Sequence, residues 1–282
     1  MLHTLGTVGL AYVNGELLEE QASKISIFDH GFVTGDGVFE SVLVHRGRPF
    51  ALRRHLDRLE RSASLVGIQV PPRVEIEKAV LAVVGSGAAG RAKVRVTVTA
   101  GAGPLSSHRG TDRPTLVVAM AGVEEADRDG AVVELAPWPR NERGALVGSK
   151  TTSYAENVVA LAYVRERGCD EAVFANLAGN LCEGTGSNIF VVVDGVLVTP
   201  PLSSGCLAGV TRSLVVELTG ARETDVGVSD LGRVGEAFLT STTRGVQPVH
   251  TLAGRRLQPC PGLLSAGAAR AFEELLERDL DP

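Results

Sequence analysis

Only four of the 282 residues are lysines, Lys24, Lys78, Lys93 and Lys150, so each can be weighed as a nucleophile. Lys78 lies between Glu77 and Ala79 in a helical stretch that also holds Glu75, and it reads as a solvated-face residue. Lys24 precedes Ile25 near a strand start and carries no pattern. Lys93 alternates with Arg95 along a predicted strand, so both side chains point to one face. Lys150 stands apart. It is the only charged residue from Gly144 to Ala155, within Ala145-Leu146-Val147-Gly148-Ser149-Lys150-Thr151-Thr152-Ser153-Tyr154. Desolvation among such neighbours favours the neutral amine, the form that attacks a carbonyl to make a Schiff base. Taken by itself the residue also suits an exposed loop.

Three further stretches could carry chemistry. In Leu181-Cys182-Glu183-Gly184-Thr185-Gly186-Ser187-Asn188-Ile189-Phe190 a single carboxylate precedes two glycines and a strand, which alone reads as a turn with a solvated Glu. Gly209-Val210-Thr211-Arg212 opens a helix, where free backbone N–H groups and a Thr hydroxyl make an anion site. Leu239-Thr240-Ser241-Thr242-Thr243-Arg244 is a run of hydroxyls just past a strand, able to hold a phosphate or to satisfy turn backbone.

The elements that must position these residues are legible in outline. Asn14-Gly15 predicts a hairpin over Gly6–Leu18, and Arg46-Gly47 turns a strand at Val38–Val44 toward Pro49. Leu52, Leu56, Leu59, Ala63 and Val66 mark one face of a helix closed by Gly67. A second helix is predicted at Arg73–Val84, then strands at Ala92–Thr99 and Thr115–Ala121. The charged run from Glu124 to Gly130 reads as an interdomain link at 123–130, dividing a domain of residues 1–122 from one of 131–282. Beyond it come a strand at Ala131–Ala136, a helix at Tyr154–Arg167 and a strand at Glu171–Asn176. A hairpin over Asn188–Val198 turns at Asp194-Gly195, and a helix covers Val210–Leu218. A strand at Glu236–Thr240, a hairpin around Ala253-Gly254 and a helix at Leu263–Arg278 complete the chain. Hairpins in place of regular βαβ units predict an α+β fold and not a doubly wound sheet.

Composition narrows the classes. Lys plus Arg number 28 against 33 Asp plus Glu, a formal charge of -5, which argues against a nucleic-acid binder. The apolar run Ala79–Gly90 is too short to span a bilayer and is broken by glycines, so no membrane role is expected. The first residues lack a basic stretch and a small-residue cleavage site, so a cytoplasmic location is expected. Cys169, Cys182, Cys206 and Cys260 are widely spaced, which predicts reduced thiols and no metal site.

Taken together, the motifs resemble the class IV (fold type IV) family of pyridoxal-phosphate enzymes, which includes D-amino-acid and branched-chain aminotransferases and aminodeoxychorismate lyase. The matching pieces, in order, are Gly35-Asp36-Gly37-Val38-Phe39-Glu40, His55-Leu56-Asp57-Arg58-Leu59, Lys150 with its following helix, Glu183-Gly184-Thr185-Gly186-Ser187-Asn188, Gly209-Val210-Thr211-Arg212 and Thr240-Ser241-Thr242-Thr243. The resemblance runs from about Asn14 to Val249. It implies a small N-terminal domain, a larger C-terminal pseudo-barrel domain with the cofactor in the cleft between them, and a homodimer whose partner subunit helps close the site.

The resemblance also implies roles. Lys150 would hold pyridoxal 5'-phosphate as a Schiff base and shuttle the proton between Cα and the cofactor's C4′. Glu183 would pair with the pyridine nitrogen and keep the ring an electron sink. Arg58 would clamp the phosphate, aided by Val210, Thr211, Ser241 and Thr242. The pattern HxxRL selects Arg58 over Arg53, Arg54 and Arg61 on the same helix, which read as a solvated basic face. Thr34, Phe39, Lys93, Arg95, Thr243 and Arg244 would surround the substrate, with Lys93, Arg95 and Arg244 as carboxylate partners.

The expected activity is amino-group exchange between an amino acid and a 2-oxo acid. Glu40 stands where the lyase pattern has a proton-donating Thr, so the lyase is the alternative reading. The D-amino-acid pattern is similar in Gly35–Glu40 and Thr240–Thr243, but its carboxylate-binding Arg corresponds to Ala100. The branched-chain pattern keeps Arg95 and loses its Tyr at Lys93. The balance leans to D-amino acids, with an L-branched-chain enzyme as the other alternative.

Overall fold

The computed structural model describes residues 9–87, 90–111, 113–123 and 129–282. The chain divides into two compact units. Met1–Glu124, Ser149–Tyr154 and Asp279–Pro282 make the first, and Glu125–Gly148 with Ala155–Arg278 make the second. The charged link expected at 123–130 falls mostly outside the described residues. A single cut there would assign Lys150 to the second unit, whereas the segment Ser149–Tyr154 belongs to the first.

In the first unit β1 (Ala11–Val13) and β2 (Glu16–Leu18) form the first hairpin, and residues 6–8 of that expectation lie outside the described residues. Asn14 (φ 48) and Gly15 (φ 107) both take positive φ at its turn, as a tight hairpin of this twist requires. A short helix α1 (His30–Val33), without a sequence signal of its own, is capped by the Asp29 carboxylate, which accepts from Gly31 N at 2.8 Å. The strands β3 (Gly37–His45), β4 (Arg48–Pro49), β5 (Ala92–Thr99) and β6 (Thr115–Gly122) complete an antiparallel sheet in the order β2-β1-β6-β5-β3-β4. Helices α2 (Leu52–Val66) and α3 (Arg73–Ser86) cover one face of it. Val38, Val42 and Val44 of β3, Val94, Val96 and Val98 of β5, and Leu116, Val118 and Met120 of β6 pack there against Leu56, Leu59, Ile76, Val80 and Val83.

Strand alternation therefore sends Phe39, Ser41 and Leu43 to the opposite face, together with their register partners Thr97, Arg95 and Lys93. Because β4 pairs only with Val44 and His45, the edge of β3 at its other end is open to another partner. Lys150–Thr152 takes it. Phe39 N donates to Lys150 O at 3.0 Å, Thr152 N donates to Gly37 O at 2.8 Å, and Val38 and Thr151 form the bridge between.

Arg53 is exposed, as a solvated face requires, and Arg54 is half-buried, but both also hold the end of the chain. Arg53 N donates to the Asp281 carboxylate at 3.0 Å and Arg54 Nε to Pro282 O at 2.8 Å, fastening the last residues beside the start of α2. The physical reason is proximity, since Ala51 N already donates to Leu280 O at 2.7 Å.

The second unit holds β7 (Ala131–Leu135), α4 (Ala155–Arg165), β8 (Glu171–Ala175), β9 (Leu181–Gly184), β10 (Asn188–Val193), β11 (Val196–Thr199), α5 (Val210–Thr219), β12 (Arg222–Glu223), β13 (Val234–Ser241), β14 (Gly245–Leu252), β15 (Arg255–Arg256) and α6 (Leu263–Arg278). Its nine-stranded sheet runs β12-β11-β10-β13-β14-β7-β8-β9, with β15 on β14. The sheet curls so that β9 lies near β10, joined by Gly184 N to Ser187 O at 2.7 Å, the barrel-like arrangement expected. Hairpins dominate, and only β14-β7-β8 and β11-β12 pair in parallel. Val133, Val173, Leu181, Ile189, Val191, Leu239 and Val249 form its core, and Ala160, Val164, Phe174, Cys182 and Cys206 form a second cluster under α4.

Among the described residues no helix is long and apolar enough to cross a membrane, and no group of His, Cys, Asp and Glu is arranged to hold a metal ion.

Gly101, two residues past β5, has a conformation that a side chain resists. Its φ is +80°, and a Cβ would lie 2.2 Å from Arg113 O. Gly101→Ala is expected to cost about 2–4 kcal/mol, read as a lowered urea midpoint with an unchanged slope.

Candidate active site

In the first unit the side chains gather on the sheet face opposite the helices. The edge pairing gives Lys150 the same orientation as Phe39, and Lys150 Nζ lies 4.3 Å from the centre of the Phe39 ring. Arg95 also faces this ring, with Cζ 3.6 Å from its centre, and Tyr154 meets it edge-on at 5.5 Å. Both cations gain from the electron-rich ring. Lys150 N donates to Ser62 Oγ of α2 at 3.0 Å, which adds a second anchor. Lys93 shares the Arg95 face. Burial, then the neighbouring Arg95 charge, pushes its amine below the ordinary lysine range. Thr34 caps the end of α1, donating to His30 O at 3.0 Å.

Glu40 points the other way, into the helix layer, and is fully buried. Arg58 meets it with two hydrogen bonds, from Nε and Nη2, each 2.7 Å, and His55 Nδ1 lies 2.7 Å from its second oxygen. His55 and Arg58 are three residues apart on α2 and so share one side of it. The burial of Glu40 alone would raise its pKa, but the Arg58 charge and hydrogen bonds, with His55, overcome this and lower it to about 2. Burial holds His55 below the ordinary histidine value, so the ring is neutral at pH 7. The pairing occupies one edge of the Arg58 guanidinium and sets its orientation.

The second unit presents a carboxylate, a helix start and a hydroxyl turn. Glu183 sits on β9 and not in a turn, because Leu181 N bonds Val226 O and Phe174 of β8 pairs opposite Glu183. Its Oε2 accepts from Leu207 N at 2.9 Å, and its Oε1 lies 3.7 Å from Arg140 Nε. The Leu207–Gly209 stretch leads into α5, and Asn188 Nδ2 donates to Leu207 O at 2.9 Å. Gly209 is the N-cap and contributes no side-chain cap, so Val210 and Thr211 open the helix without one. A Cβ at Gly209 would lie 2.1 Å from Asn188 Oδ1, so only glycine fits. Ser241 ends β13, Thr242 and Thr243 follow it, and Thr240 Oγ1 is buried with no hydrogen-bond partner among the described residues. Arg244, expected as a substrate cation, instead pairs with the buried Glu171 carboxylate at 2.8 Å.

These groups fit pyridoxal phosphate by their chemistry. An uncapped helix start that only glycine can approach and an adjacent hydroxyl run suit a phosphate. A carboxylate held by a backbone N–H suits a protonated ring nitrogen, and a lysine on an aromatic face suits an aldehyde carbon.

The sequence profile described as amino-transferase class IV matches residues 37–252, from the start of β3 to the end of β14. The chain belongs to the class IV aminotransferase family. It is 34% identical over 255 residues to a putative branched-chain-amino-acid aminotransferase of Methanocaldococcus jannaschii, covering 86% of this chain and 88% of that one. It is 26% identical over 282 residues to the D-alanine aminotransferase of Staphylococcus epidermidis, covering 94% and 97%. The solved structure of a hypothetical aminotransferase from Mycobacterium tuberculosis, in its PLP-bound form, superposes with a TM-score of 0.80 at 25% identity, covering 94% of this chain and 99% of that one. Solved class IV aminotransferases thus share the fold found here.

Both titrating groups in the buried α2–β3 cluster act in the same direction. Each has a folded pKa below its unfolded value, so each stabilises the fold above the unfolded value and loses that contribution on acidification. For His55 the loss begins below about pH 6.5, and for Glu40 it runs from about pH 4.5 toward 2. Glu40→Gln is expected to cost about 3–5 kcal/mol at pH 7 by leaving Arg58 buried against a neutral amide. The gap between wild type and variant, followed by urea midpoints across pH, should narrow below pH 4.5.

Proposed function

We propose that this chain is a pyridoxal-phosphate-dependent aminotransferase that exchanges an amino group between an amino acid and a 2-oxo acid. The observation that carries the reading is Lys150 itself, paired by its backbone to β3 and set with Nζ over Phe39 beside Arg95. Pyridoxal phosphate, when bound, supplies an electron-withdrawing ring that stabilises negative charge at the amino acid's Cα. Lys150 Nζ would hold the cofactor's aldehyde carbon and, as a free amine, would serve as the base that moves a proton at the substrate's Cα. Glu183 would accept from the ring N–H and hold that proton in place. Arg58, oriented by Glu40, would bind phosphate oxygens, with the Val210 and Thr211 amides and the Ser241 and Thr242 hydroxyls as further donors.

Phe39 forms an apolar wall beside Lys150. Arg95 and Lys93 are the carboxylate partners, since they stand on the Lys150 face and among the described residues neither is paired with a carboxylate. Thr34 and Thr243 belong to the substrate surroundings. Arg244 leaves that set, because Glu171 already neutralises it. The finer part of the reading is a D-amino acid as donor, supported by Gly35–Glu40 and Thr240–Thr243, in a cytoplasmic homodimer.

The test is a visible absorption titration of the purified enzyme supplied with pyridoxal phosphate. The lysine-bound cofactor band should appear and should bleach with D-alanine, with L-leucine leaving it unchanged. Bleaching by L-leucine alone would overturn the enantiomer, a band that neither touches would favour the lyase, and no band would refute the whole reading. Lys150→Ala should lose the band and at least about 10²–10⁴-fold in kcat while keeping the wild-type circular dichroism spectrum. Arg95→Met should raise KM for the amino donor about tenfold or more, through loss of a charged hydrogen bond worth about 1.5–3 kcal/mol, with a smaller change in kcat.

A further inference from the structure

Glu171 opens β8 and is almost completely buried, at 1% exposure. A carboxylate in such a place costs several kcal/mol unless it is paired and its lone pairs are satisfied. Oε1 accepts from Ala172 N at 3.2 Å, from Thr185 N at 3.1 Å and from the Thr185 hydroxyl. Oε2 faces the Ser187 hydroxyl at 3.4 Å and Arg244 Nη1 at 2.8 Å. Apart from Ala172 N on β8 itself, these partners come from two separate stretches, the loop directly after β9 and the turn directly after β13. Packing keeps that loop close, since a Cβ at Gly184 would strike Ser187 Oγ at 2.2 Å.

The network continues beyond Thr185. Asn157 Nδ2 donates to Thr185 O at 2.5 Å, and Arg140 donates to Asn157 Oδ1 at 3.2 Å. Arg140 lies over the Phe174 ring at 4.1 Å and reaches Glu183 Oε1 at 3.7 Å. A continuous polar chain thus runs Arg244, Glu171, Thr185, Asn157, Arg140, Glu183, all within the second unit. It ties the residue proposed to face the ring nitrogen to the turn proposed to hold the phosphate.

We propose that Glu171 and Arg244 are a positioning pair that fixes the Ser241–Thr243 hydroxyl turn relative to Glu183, so that both can engage one pyridoxal phosphate. The inference rests on the functional reading above. Neither residue touches the reacting atoms. Their effect is on how well the cofactor is gripped.

Cofactor affinity measured on the folded protein separates this role from plain stability. Apo wild type, Glu171→Gln, Arg244→Met, Arg244→Lys, the double variant and Glu236→Gln would be titrated with pyridoxal phosphate well below each melting temperature. Glu236 is a carboxylate of similar duty elsewhere in the unit, accepting from Ser265 N at 2.9 Å and Ser265 Oγ at 2.8 Å at the start of α6. Glu171→Gln and Arg244→Met should each raise the dissociation constant about tenfold, a change of about 1.4 kcal/mol. The double variant should be no worse than either, because both break one link. Arg244→Lys should recover part of the loss, and Glu236→Gln should lower the melting temperature while keeping the affinity within twofold. Glu171→Gln within twofold of wild type, or an equal loss in Glu236→Gln, would overturn the proposal. Should Glu171→Gln fail to fold, Thr185→Val removes one donor and should weaken binding in the same direction. Absence of pyridoxal phosphate binding by wild type would instead refute the functional reading on which the proposal rests.

Discussion

The open edge of β3 is the constraint on which the first unit depends. Two backbone hydrogen bonds, Phe39 N to Lys150 O and Thr152 N to Gly37 O, add Lys150–Thr152 to the sheet. Strand geometry then leaves no freedom in where the lysine points, because alternation assigns it to the Phe39 face. A slip of one residue would turn Lys150 toward the helix layer and Thr151 toward the ring. The same parity sorts the rest of β3. Its odd residues meet Lys150, Arg95 and Lys93, while its even residues build the apolar layer and place Glu40 where only a buried ion pair can satisfy it. One strand therefore keeps Lys150, Arg95 and Lys93 on one side and an arginine-orienting carboxylate on the other.

The second unit achieves order by another route. Its curled sheet brings distant loops together, and buried or half-buried carboxylates join them. Glu183 holds Leu207 N, Glu171 holds Thr185 and Arg244, and Glu236 holds the start of α6. Each collects donors that would otherwise be unsatisfied, so removal of any one would strand several groups at once. The arrangement keeps the start of α5 uncapped by any side chain of its own, with Gly209 as the only residue that fits beside Asn188.

Much of this was legible in the residues. Asn14-Gly15 and Asp194-Gly195 marked their hairpins, Gly67 closed α2, and α6 spans Leu263–Arg278 as its pattern predicts. Local chemistry sets those boundaries, so local sequence reveals them. What stayed hidden depends on long-range pairing. No periodicity could show that Ser149–Tyr154 joins β3 across a hundred residues, that β9 is a strand held by Val226 and β8, or that Arg53 and Arg54 hold the last residues. Arg58 was selected by resemblance to a family pattern, and the structure pairs it with Glu40. That partner had a signal in the sequence. An acid in the apolar register Val38, Glu40, Val42, Val44 needs a buried cation, and His55 and Arg58 stand three apart on the apolar side of the next helix. Glu171 and Arg140 had none, since their partners come from several separate loops.

The central claim is that Lys150 is the lysine that binds the cofactor, and the small number of lysines makes the claim sharp. Lys93 is the informative rival, because it shares the Lys150 face and burial pushes its amine below the ordinary lysine range. The decisive measurement is borohydride reduction of the enzyme saturated with pyridoxal phosphate, followed by peptide mass spectrometry. The account predicts the pyridoxyl mass on the peptide carrying Lys150 and on no other. Stoichiometric labelling of Lys24, Lys78 or Lys93, or no labelled lysine at all, would contradict it.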